Sequence, residues 1–449
     1  MTTGGSISGL LTDLYELTMA AGYFAAGKSE EKATFELTIR RLPPNRSFAL
    51  AAGLAQAVEY LTSACFDEDD VRYVRSLPQL ARASEGFFER LRRFRFSGDL
   101  FAMPEGTPVF AGEPILTVRA PLIEAQIAET YLLATIGFQT MVAAKAARVT
   151  EAAAGRGVVE FGTRRAHSPQ AGVLAGRAAY IGGCIGTSNA LTGSLFGIPI
   201  YGTAAHSWVL AFPEEEEAFR QLQRLLGEGT TYIVDTYDTL DGVRKAAALG
   251  RPLWGVRLDS GDLLELSREA RAILDAAGLA HAKIMATGDL NEYKIRALVE
   301  AGASIDAYGV GTDLVTSADA PSLGVIYKLV ELESDGTRRY TAKFSEDKRT
   351  YPGAKQVFRF EDHDEIGCAW ECRAAAAART LIRPVLIRGG MVEPLPDAAA
   401  ARAHAAASLA ALPAECRRLA APEPRRVEYS PALRALAKES RRKLEAGVT

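Results

Sequence analysis

Short apolar runs alternate with helical patterns from residue 124 to about residue 322. Each run is strand-like in composition, and a polar or glycine-rich turn follows it. Repeated strand–helix units of about 20 to 30 residues predict a parallel sheet. Seven units without an obvious break favour a barrel over an open sheet. The predicted strands are 158–161, 184–187, 199–202, 231–235, 253–257, 283–286 and 307–310; after a long helix from 124 to about 153, the predicted helices are 172–182, 190–196, 214–226, 240–249, 263–277 and 292–301.

The two ends of the chain lack this regular alternation. Residues 33–118 mix strand-like and helical pieces, and 325–333 with 338–344 predict a hairpin across Ser334-Asp335-Gly336. Further strands at 357–360 and 381–387 predict that both ends build one mixed α+β domain. The Ala/Arg-rich end of the chain is expected to be a solvated helical extension. The predicted divisions are 1–120 and 323–394 for this domain, 121–322 for the barrel, and 395–449 for the extension.

Composition and charge narrow the class of protein. A chain of 449 residues with 48% apolar and 24% charged residues is too long for one core. Its formal charge of −3 makes nucleic acid and membrane surfaces improbable partners. No apolar run reaches membrane-spanning length, and the amino terminus lacks the layout of a signal peptide. Five scattered cysteines are typical of a reducing compartment, so we expect a cytoplasmic enzyme or binding protein.

The first helical pattern covers residues 9–26, with Leu10, Leu14, Leu17 and Ala21 on one face. Thr12 or Asp13 is placed to cap the helix that begins there. For Tyr15, in the first turn, core packing is the simplest explanation.

Directly after this pattern, Gly22–Ser29 matches the phosphate-binding sequence G-x-x-x-x-G-K-S. Phosphate binding by that loop requires a strand before the glycines and a helix after them. Here a helical pattern precedes and the strand-like segment 33–40 follows. We therefore predict that the match is accidental, which argues against a nucleoside triphosphatase of that class.

Polar clusters follow five of the predicted parallel strands, where barrel enzymes place their ligands. Gly202-Thr203-Ala204-Ala205-His206-Ser207 holds a lone histidine at such a position. Arg164 and Arg165 end the first strand, where paired guanidiniums suit carboxylate or phosphate, although a salt-bridged rim would look the same. Arg257 and Asp259 share one face of their strand and are either a structural pair or the holders of an anionic substrate. Thr287-Gly288-Asp289-Leu290 and Gly309-Val310-Gly311-Thr312 predict a phosphate site.

One further cluster contains His363, Cys368 and Cys372. Three ligands without a fourth are poor spacing for zinc, so a metal there is not expected.

Taken together, these motifs resemble those of the nicotinate phosphoribosyltransferase family. Four stretches carry the resemblance, and it extends in order over about residues 10–390: Thr12–Met19, Phe161–Ala166, Gly202–Ser207 and Gly255–Asp262. Gly309–Thr312, Pro321–Gly324 and Tyr327–Leu329 continue it. The resemblance implies an irregular seven-stranded α/β barrel plus an α/β sandwich formed from both chain ends, in a homodimer whose active sites are shared between subunits.

The resemblance also implies the reaction and the residues. Nicotinate and phosphoribosyl diphosphate would give nicotinate mononucleotide and pyrophosphate for NAD salvage, with coupled ATP hydrolysis and with Mg²⁺ on the leaving group. His206 would be the phosphorylated histidine, and Asp259 would meet the ribose hydroxyls or the metal. The implied nicotinate-binding residues are Tyr15 (from the partner subunit), Arg164, Thr203 and Arg257. Those implied for phosphoribosyl diphosphate are Arg165, Ser260, Gly261, Gly288, Asp289, Gly309, Gly311 and Thr312.

Two alternatives remain open on sequence alone. A nicotinamide phosphoribosyltransferase would be expected to carry an acidic residue near position 189, and Asn189 stands there, which favours the negatively charged substrate. A catalytically silent binding protein on the same scaffold is disfavoured because His206, Arg257 and Thr312 are all present.

Overall fold

A parallel sheet and an antiparallel sheet, each with its own hydrophobic core, dominate the computed structural model, which describes residues 6–343 and 350–446. The parallel sheet has six strands in the order Thr231–Ile233, Gly255–Leu258, Lys283–Ala286, Ala307–Val310, Gly157–Glu160 and Gly186–Thr187. The fold is therefore mixed α/β, as the patterns predicted. Six of the seven predicted parallel strands are present.

The seventh predicted strand, at 199–202, is reduced to one parallel bridge between Ile200 and Thr187. Within the described ranges, no ladder joins this segment to Thr231–Ile233. Closure of the sheet into a seven-stranded barrel therefore stays a prediction.

Helices follow the parallel strands with nearly the predicted bounds: Pro169–Ile181, Ala190–Phe196, Glu215–Leu226, Thr239–Leu249, Leu263–Ala276 and Glu292–Glu300. Short polar caps begin several of them, since Asn189, Asp238, Asp262 and Asn291 each accept a hydrogen bond from the first turn. Two short helices, His206–Leu210 and Thr312–Val315, follow the polar clusters. The long helix predicted from residue 124 is two helices, Leu122–Ile127 and Glu129–Ala152, which meet at Ala128.

Seven antiparallel strands from both ends of the chain form the other main sheet. Their order is Thr337–Tyr340, Val325–Ser334, Lys32–Ile39, Pro114–Pro121, Asp99–Ala102, Arg383–Ile387 and Gly390–Met391. The predicted hairpin turns at Asp335 and Gly336, both with positive φ, as a tight two-residue turn requires. Its predicted end at residue 344 lies outside the described residues. The helices of this half are Leu14–Ala25, Leu54–Ser63, Glu68–Ser76 and Glu85–Arg92, with a 3₁₀ turn at Pro78–Leu80.

Smaller sheets complete this half. Arg379–Thr380, Lys355–Arg359, His363–Cys368 and Arg426–Tyr429 form a four-stranded sheet, while Ile7–Ser8 pairs with Ala64–Cys65 and Ala49–Leu50 with Pro108–Val109. His363 and Cys368 occupy opposite ends of one six-residue strand. Because such a strand is about 17 Å long, the two side chains cannot bind one ion.

The first helix differs from its prediction in the face that it buries. Asp13 caps it with a capping box, as expected. However, Glu16, Leu17 and Ala20 are the buried residues, whereas Leu14 is exposed. Tyr15 is 45% exposed, so the core-packing explanation for it is wrong.

The glycine–lysine match at Gly22–Ser29 has the predicted order of elements. Helix Leu14–Ala25 precedes the loop and strand Lys32–Ile39 follows it. The amino group of Lys28 pairs with Glu31 at 2.7 Å. The geometry that a phosphate-binding loop requires is thus missing here.

The carboxyl-terminal segment corrects the expectation of a solvated extension. Helix Ala398–Ala410 buries Ala401 and Ala405 in the core that covers the parallel sheet, and strand Arg426–Tyr429 pairs in parallel with His363–Cys368. Gly106 packs closely against this helix. A Cβ added at Gly106 would lie only 2.6 Å from the carbonyl oxygen of Ala401, so a glycine is needed there. Helices Ala414–Arg417 and Pro431–Glu445 complete this segment.

The described helices include none that is both long enough and apolar enough to cross a membrane.

Candidate active site

Four adjacent strands of the parallel sheet end at one edge, and each carries a polar cluster there. Gly157–Glu160, Ala307–Val310, Lys283–Ala286 and Gly255–Leu258 are neighbours in the sheet. Because their carboxyl ends point the same way, the residues after them come together. Arg257 lies at the centre of the resulting hydrogen-bond network.

The guanidinium of Arg257 holds three different groups. Its Nε donates to Thr287 Oγ1 at 2.8 Å and its Nη1 donates to Thr203 Oγ1 at 2.8 Å. Its Nη2 donates to Asp259 Oδ1 at 2.5 Å. Its carbon lies 5.9 Å from the centre of the Phe161 ring. Arg257 is thereby fixed in position with two of its five N–H groups left for another partner.

Asp259 is an ionised carboxylate at neutral pH. Burial raises its pKa, but hydrogen bonds from Thr287 and Arg257, together with the charges of Arg257 and His206, outweigh burial and leave the pKa below its ordinary value. Its second oxygen, Oδ2, lies 3.8 Å from His206 Nε2. The structure thus brings the side chains of Arg257, Asp259 and His206 together.

His206 is the first residue of helix His206–Leu210, and its side chain is 41% exposed. Its Nδ1 lies 3.1 Å from the hydroxyl of Thr236. The imidazole therefore has a polar neighbour at each nitrogen and an open side toward solvent.

Asp235 is a member of this site that the sequence predictions omitted. Its Oδ2 accepts hydrogen bonds from the Asp259 backbone N–H at 3.1 Å and from Ser260 Oγ at 2.5 Å. Its Oδ1 is buried without a hydrogen-bond partner among the described residues. Thr236 was likewise not named, and Thr287 appeared only within the predicted phosphate cluster, without its contact to Arg257. Thr287 directly follows its strand, and Asp235 and Thr236 are the second and third residues after Thr231–Ile233; a polar residue just past a parallel strand is the signal that could have identified them.

Glycines let the strand ends approach one another. Gly288 has φ +90°, and a Cβ there would lie 2.0 Å from the carbonyl oxygen of Asp259. A Cβ at Gly309 would lie 2.5 Å from the Phe161 ring. Any side chain at either position would push Asp259 or Phe161 out of place.

The remaining predicted phosphate-binding residues lie around this edge but are not bonded into the network. Gly261, with φ +82°, follows Ser260, and Asp289 is exposed with φ +45°. Gly311 precedes the exposed Thr312 at the start of helix Thr312–Val315. These residues thus lie at the edge where the strands end, with the carbonyls of Asp289, Gly311 and Thr312 bonded to the helices that begin there.

Arg164 and Arg165 lie in the 3₁₀ turn Thr163–Arg165, and both are exposed. In the described ranges neither has a carboxylate within ion-pair distance, which argues against a salt-bridged rim. Arg164 approaches only the carbonyl of Phe161, at 3.5 Å.

Tyr15 is not part of this cluster within one chain. It lies on helix Leu14–Ala25, next to Glu16 and Glu129, which with burial raise the pKa of its hydroxyl. In the part of the chain that the structure describes, no group of three or more metal-ligating side chains converges.

Comparison with known proteins identifies the family to which this chain belongs. Three models match: the nicotinate phosphoribosyltransferase N-terminal domain over residues 10–137, the family model over 157–343 and the C-terminal domain over 369–437. A nicotinate phosphoribosyltransferase of Mycobacterium tuberculosis, pncB2, is 45% identical over 425 residues, which cover 92% of this chain and 89% of that protein. The chain belongs to the nicotinate phosphoribosyltransferase family.

Other members of the family are also similar to this chain over most of its length. The nicotinate phosphoribosyltransferase of Bacillus subtilis is 45% identical over 78% of this chain and 72% of its own. The crystal structure of the human nicotinic acid phosphoribosyltransferase superposes with a TM-score of 0.83 at 30% identity, covering 95% of this chain and 99% of that one. The fold described above is therefore that of the family, and the chain is an enzyme.

Proposed function

We propose that this nicotinate phosphoribosyltransferase joins nicotinate to phosphoribosyl diphosphate, giving nicotinate mononucleotide and pyrophosphate for NAD salvage, and that ATP hydrolysis is coupled through phosphorylation of His206. The observation that carries the proposal is Arg257, fixed at a strand end with two free N–H groups beside an aromatic ring. A carboxylate on a flat aromatic substrate fits that arrangement: the guanidinium pairs with the carboxylate, and Phe161 offers a face to the ring.

The reaction requires the protein mainly to position the two substrates and to stabilise the charges that develop. The bond from ribose C1 to the pyrophosphate oxygen breaks, and the pyridine nitrogen forms the new bond to C1. The charge that develops on the ribose and on the leaving pyrophosphate is stabilised by groups already in place. Asp259, ionised and held by Arg257 and Thr287, lies where it can meet ribose hydroxyls. At Gly311 the nearest atom to an added Cβ would be 3.4 Å away, so this strand end leaves room for phosphate oxygens near backbone N–H groups.

Mg²⁺ fits this site as a partner of substrate phosphates. Protein sites for Mg²⁺ commonly use one or two carboxylates plus phosphate oxygens. Asp235 has a buried oxygen without a hydrogen-bond partner, and Asp259 is ionised beside it. These two residues would hold the ion, which would neutralise the leaving group.

Phosphorylation of His206 is supported by its exposure and its surroundings. A neutral imidazole nitrogen can attack a γ-phosphoryl group near neutral pH. The added charge of about −2 would then lie beside the diphosphate site. Ribosyl transfer does not use this nitrogen, so the two activities are separable.

The test uses purified protein with phosphoribosyl diphosphate, Mg²⁺ and either nicotinate or nicotinamide, with and without ATP. Wild type should make the mononucleotide of nicotinate faster when ATP is present, and γ-³²P from ATP should appear as acid-labile label on the protein. His206→Ala should lose ATP hydrolysis and the label but keep a slower, ATP-independent synthesis. Ser207→Ala, which changes the next residue in the same motif, is the matched control. ATP hydrolysis that continues in step with product formation in His206→Ala would refute the phosphohistidine.

Nicotinamide is disfavoured as the substrate. Asn189, where an acidic residue would suit an amide, instead accepts a hydrogen bond from Thr192 N and donates to Thr163 Oγ1. Its side chain is thus engaged in capping a helix.

We propose further that the sheet closes as a seven-stranded barrel, that the antiparallel half forms a sandwich, and that the molecule is a dimer in which Tyr15 enters the partner's site. Support comes from the Ile200–Thr187 bridge and from the exposure of Leu11, Leu14, Tyr15 and Met19 on one stretch of surface. Mixing Tyr15→Ala with Arg257→Ala subunits under conditions of subunit exchange should restore synthesis, because one site of each mixed dimer is intact. No recovery despite exchange would place Tyr15 in its own subunit's site.

A further inference from the structure

A cavity of about 340 Å³ lies between the antiparallel sheet and the carboxyl-terminal segment. Strand Arg383–Ile387, which pairs with Asp99–Ala102, forms one wall, and the segment 393–404 forms another. Apolar side chains such as Leu54, Val385 and Leu395 line most of it. A volume of this size suits a small organic molecule. None of the residues of the His206 site lines this cavity.

Two arginines and a histidine gather at one part of the cavity. Arg383 and His404 line it directly, and Arg379 lies close enough to act on both. Among the described residues, neither Arg379 nor Arg383 has a carboxylate within 4.0 Å. A third arginine, Arg359, is already neutralised by Asp364 at 2.6 Å.

The pKa of His404 depends on the electrostatic potential in this cavity. Burial lowers its pKa, and the charges of Arg379, Arg383 and Arg359 lower it further. The imidazole is therefore neutral at pH 7, with Nε2 at 3.2 Å from Thr107 Oγ1 and 3.5 Å from Ser408 Oγ. The arginine charges that add to the effect of burial make the potential at this part of the cavity positive, which would attract an anion.

The carboxylates at the cavity do not cancel this charge. Glu105 lines the cavity, but both of its oxygens bind Arg177, at 2.8 and 2.7 Å. Glu393 is exposed on the loop that follows the sheet. At this part of the cavity the solvated carboxylate of Glu393 is therefore outnumbered by Arg379 and Arg383, neither of which has an ion pair among the described residues.

We propose that this cavity is a second ligand site, which binds a small organic anion: a carboxylate or phosphate group on an apolar body. Arg383 and Arg379 bind the anionic group, and the apolar walls hold the body. Such an occupant also contacts Glu105, whose partner Arg177 lies on helix Pro169–Ile181, the helix that follows the Arg164–Arg165 turn. The ligand thereby contacts one member of the Arg177–Glu105 ion pair that joins the two halves of the molecule.

The binding test uses two fluorescent probes with the same body. Anilinonaphthalene sulfonate carries one anionic group, and N-phenylnaphthylamine lacks it. Wild type should bind the sulfonate at one site, and Arg383→Gln should weaken that binding about 10-fold to 100-fold, as expected for a charge-assisted contact. Binding of the neutral probe should be unchanged. Arg388→Gln, at the end of the same strand and outside the cavity, is the control.

A second pair of variants locates the site. Ala400 is exposed and lines the cavity, whereas the exposed Ala399 does not. Ala400→Trp should abolish binding of both probes, and Ala399→Trp should leave it intact. Arg257→Ala should also leave it intact, which separates this cavity from the substrate site. Synthesis of nicotinate mononucleotide should proceed normally in Arg383→Gln and Ala400→Trp without probe.

Competition and pH complete the test. Displacement by phenyl phosphate or by phenylacetate distinguishes a phosphate ligand from a carboxylate ligand. Because a bound anion raises the pKa of His404, the sulfonate should bind more tightly at pH 5.5 than at pH 8, and His404→Gln should remove that difference. Arg359, Arg379, Arg383, Glu105 and Glu393 are the other ionisable groups at the cavity. Unchanged binding in Ala400→Trp, or an equal loss for both probes in Arg383→Gln, would overturn the proposal.

Discussion

Two arginine–carboxylate pairs, Arg177–Glu105 and Arg257–Asp259, have the same charges and opposite surroundings. Arg177 and Glu105 are both buried and bind through two hydrogen bonds. Glu105 also accepts from the backbone N–H groups of Gly53 and Leu54, at the start of helix Leu54–Ser63. The Arg257–Asp259 pair is partly exposed, and Arg257 keeps free donors. Donors without a partner at a strand end, rather than charge alone, distinguish a binding arginine from a structural one.

Arg177→Ala should have the largest effect and should act on stability. Removing the cation leaves Glu105 buried and unpaired, which costs about 3–5 kcal/mol of unfolding free energy. Urea unfolding followed by circular dichroism measures it. The double variant Arg177→Met with Glu105→Gln should recover most of the loss, because neither site then carries a buried charge. A single Arg177→Ala variant within 1 kcal/mol (about one buried hydrogen bond) of wild type would mean that the pair is not structural.

Arg257→Ala should act on catalysis instead. Losing the contact to the substrate carboxylate should reduce kcat/KM for nicotinate by about 2–4 kcal/mol of transition-state free energy. Nicotinamide, which is neutral, should lose less, and unfolding should change by only about 1 kcal/mol. Arg268→Ala, an exposed arginine on the next helix, is the control. Equal losses for both substrates would assign Arg257 to the phosphates or to structure.

Glu16 extends the comparison to a buried carboxyl group that has no cation within ion-pair distance among the described residues. Burial raises its pKa to about 7, partly opposed by hydrogen bonds from Thr130. The folded state therefore holds a proton that the unfolded state releases above about pH 4.5, so stability falls as pH rises toward 7, by at most about 1.4 kcal/mol per pH unit. Glu16→Gln should flatten that slope. The slope is measured as unfolding free energy between pH 5 and 8, and an unchanged slope would contradict the assignment.

The pH dependence of the unfolding free energy that Glu105 contributes should have the opposite sign to that of Glu16. Burial alone would raise its pKa, but the charge and hydrogen bonds of Arg177 leave it lowered. The stabilisation from this group is present above its unfolded pKa and is lost as pH falls through the folded value. Arg177→Met removes the cation that holds this pKa low, so the fall in unfolding free energy on acidification should be smaller in that variant than in wild type. An equally steep fall in the variant and in wild type would mean that Glu105 does not titrate in this way.

Lys28→Ala should have the smallest effect. Its ion pair with Glu31 is partly exposed, and such pairs contribute about 0.5 kcal/mol or less. ATP hydrolysis should continue at nearly the wild-type rate, because helix and strand stand in the wrong order for phosphate binding. Complete loss of ATP hydrolysis in a folded Lys28→Ala protein would show that the loop binds nucleotide after all.

Much of the fold followed from the spacing of apolar residues. Several helices between parallel strands have nearly their predicted bounds because an apolar stripe is combined with a polar cap, as at Asp262 and Asn291. The carboxyl-terminal helix gave no such signal. A helix of alanines has little contrast between its faces, so its burial against Gly106 could not be inferred from its own sequence.

The site was predicted in part for a similar reason. Arg257, Asp259 and His206 were found because motifs surround them. Thr287 was predicted only as part of a phosphate cluster, and Asp235 only as the end of a predicted strand, where many polar residues lie without any role. Only the register between neighbouring strands shows that Asp235 reaches the backbone of Asp259. The two exposed arginines, 164 and 165, have no partner in the described ranges that would fix their role, so the geometry adds little to their prediction.

The pairing of Lys32–Ile39 with Val325–Ser334 also determines when the sheet can form during synthesis. Thr34 and Glu331, which bond across this pair, are 297 residues apart in the chain. At about 5 to 20 residues per second, the second strand leaves the ribosome roughly 15 to 60 s after the first. Until then the edge of Lys32–Ile39 has no neighbour on that side. Thr34 and Glu36 keep this waiting strand polar on one face, which discourages pairing with other nascent chains. The same two side chains later bind Glu331 and Lys355 in the finished sheet.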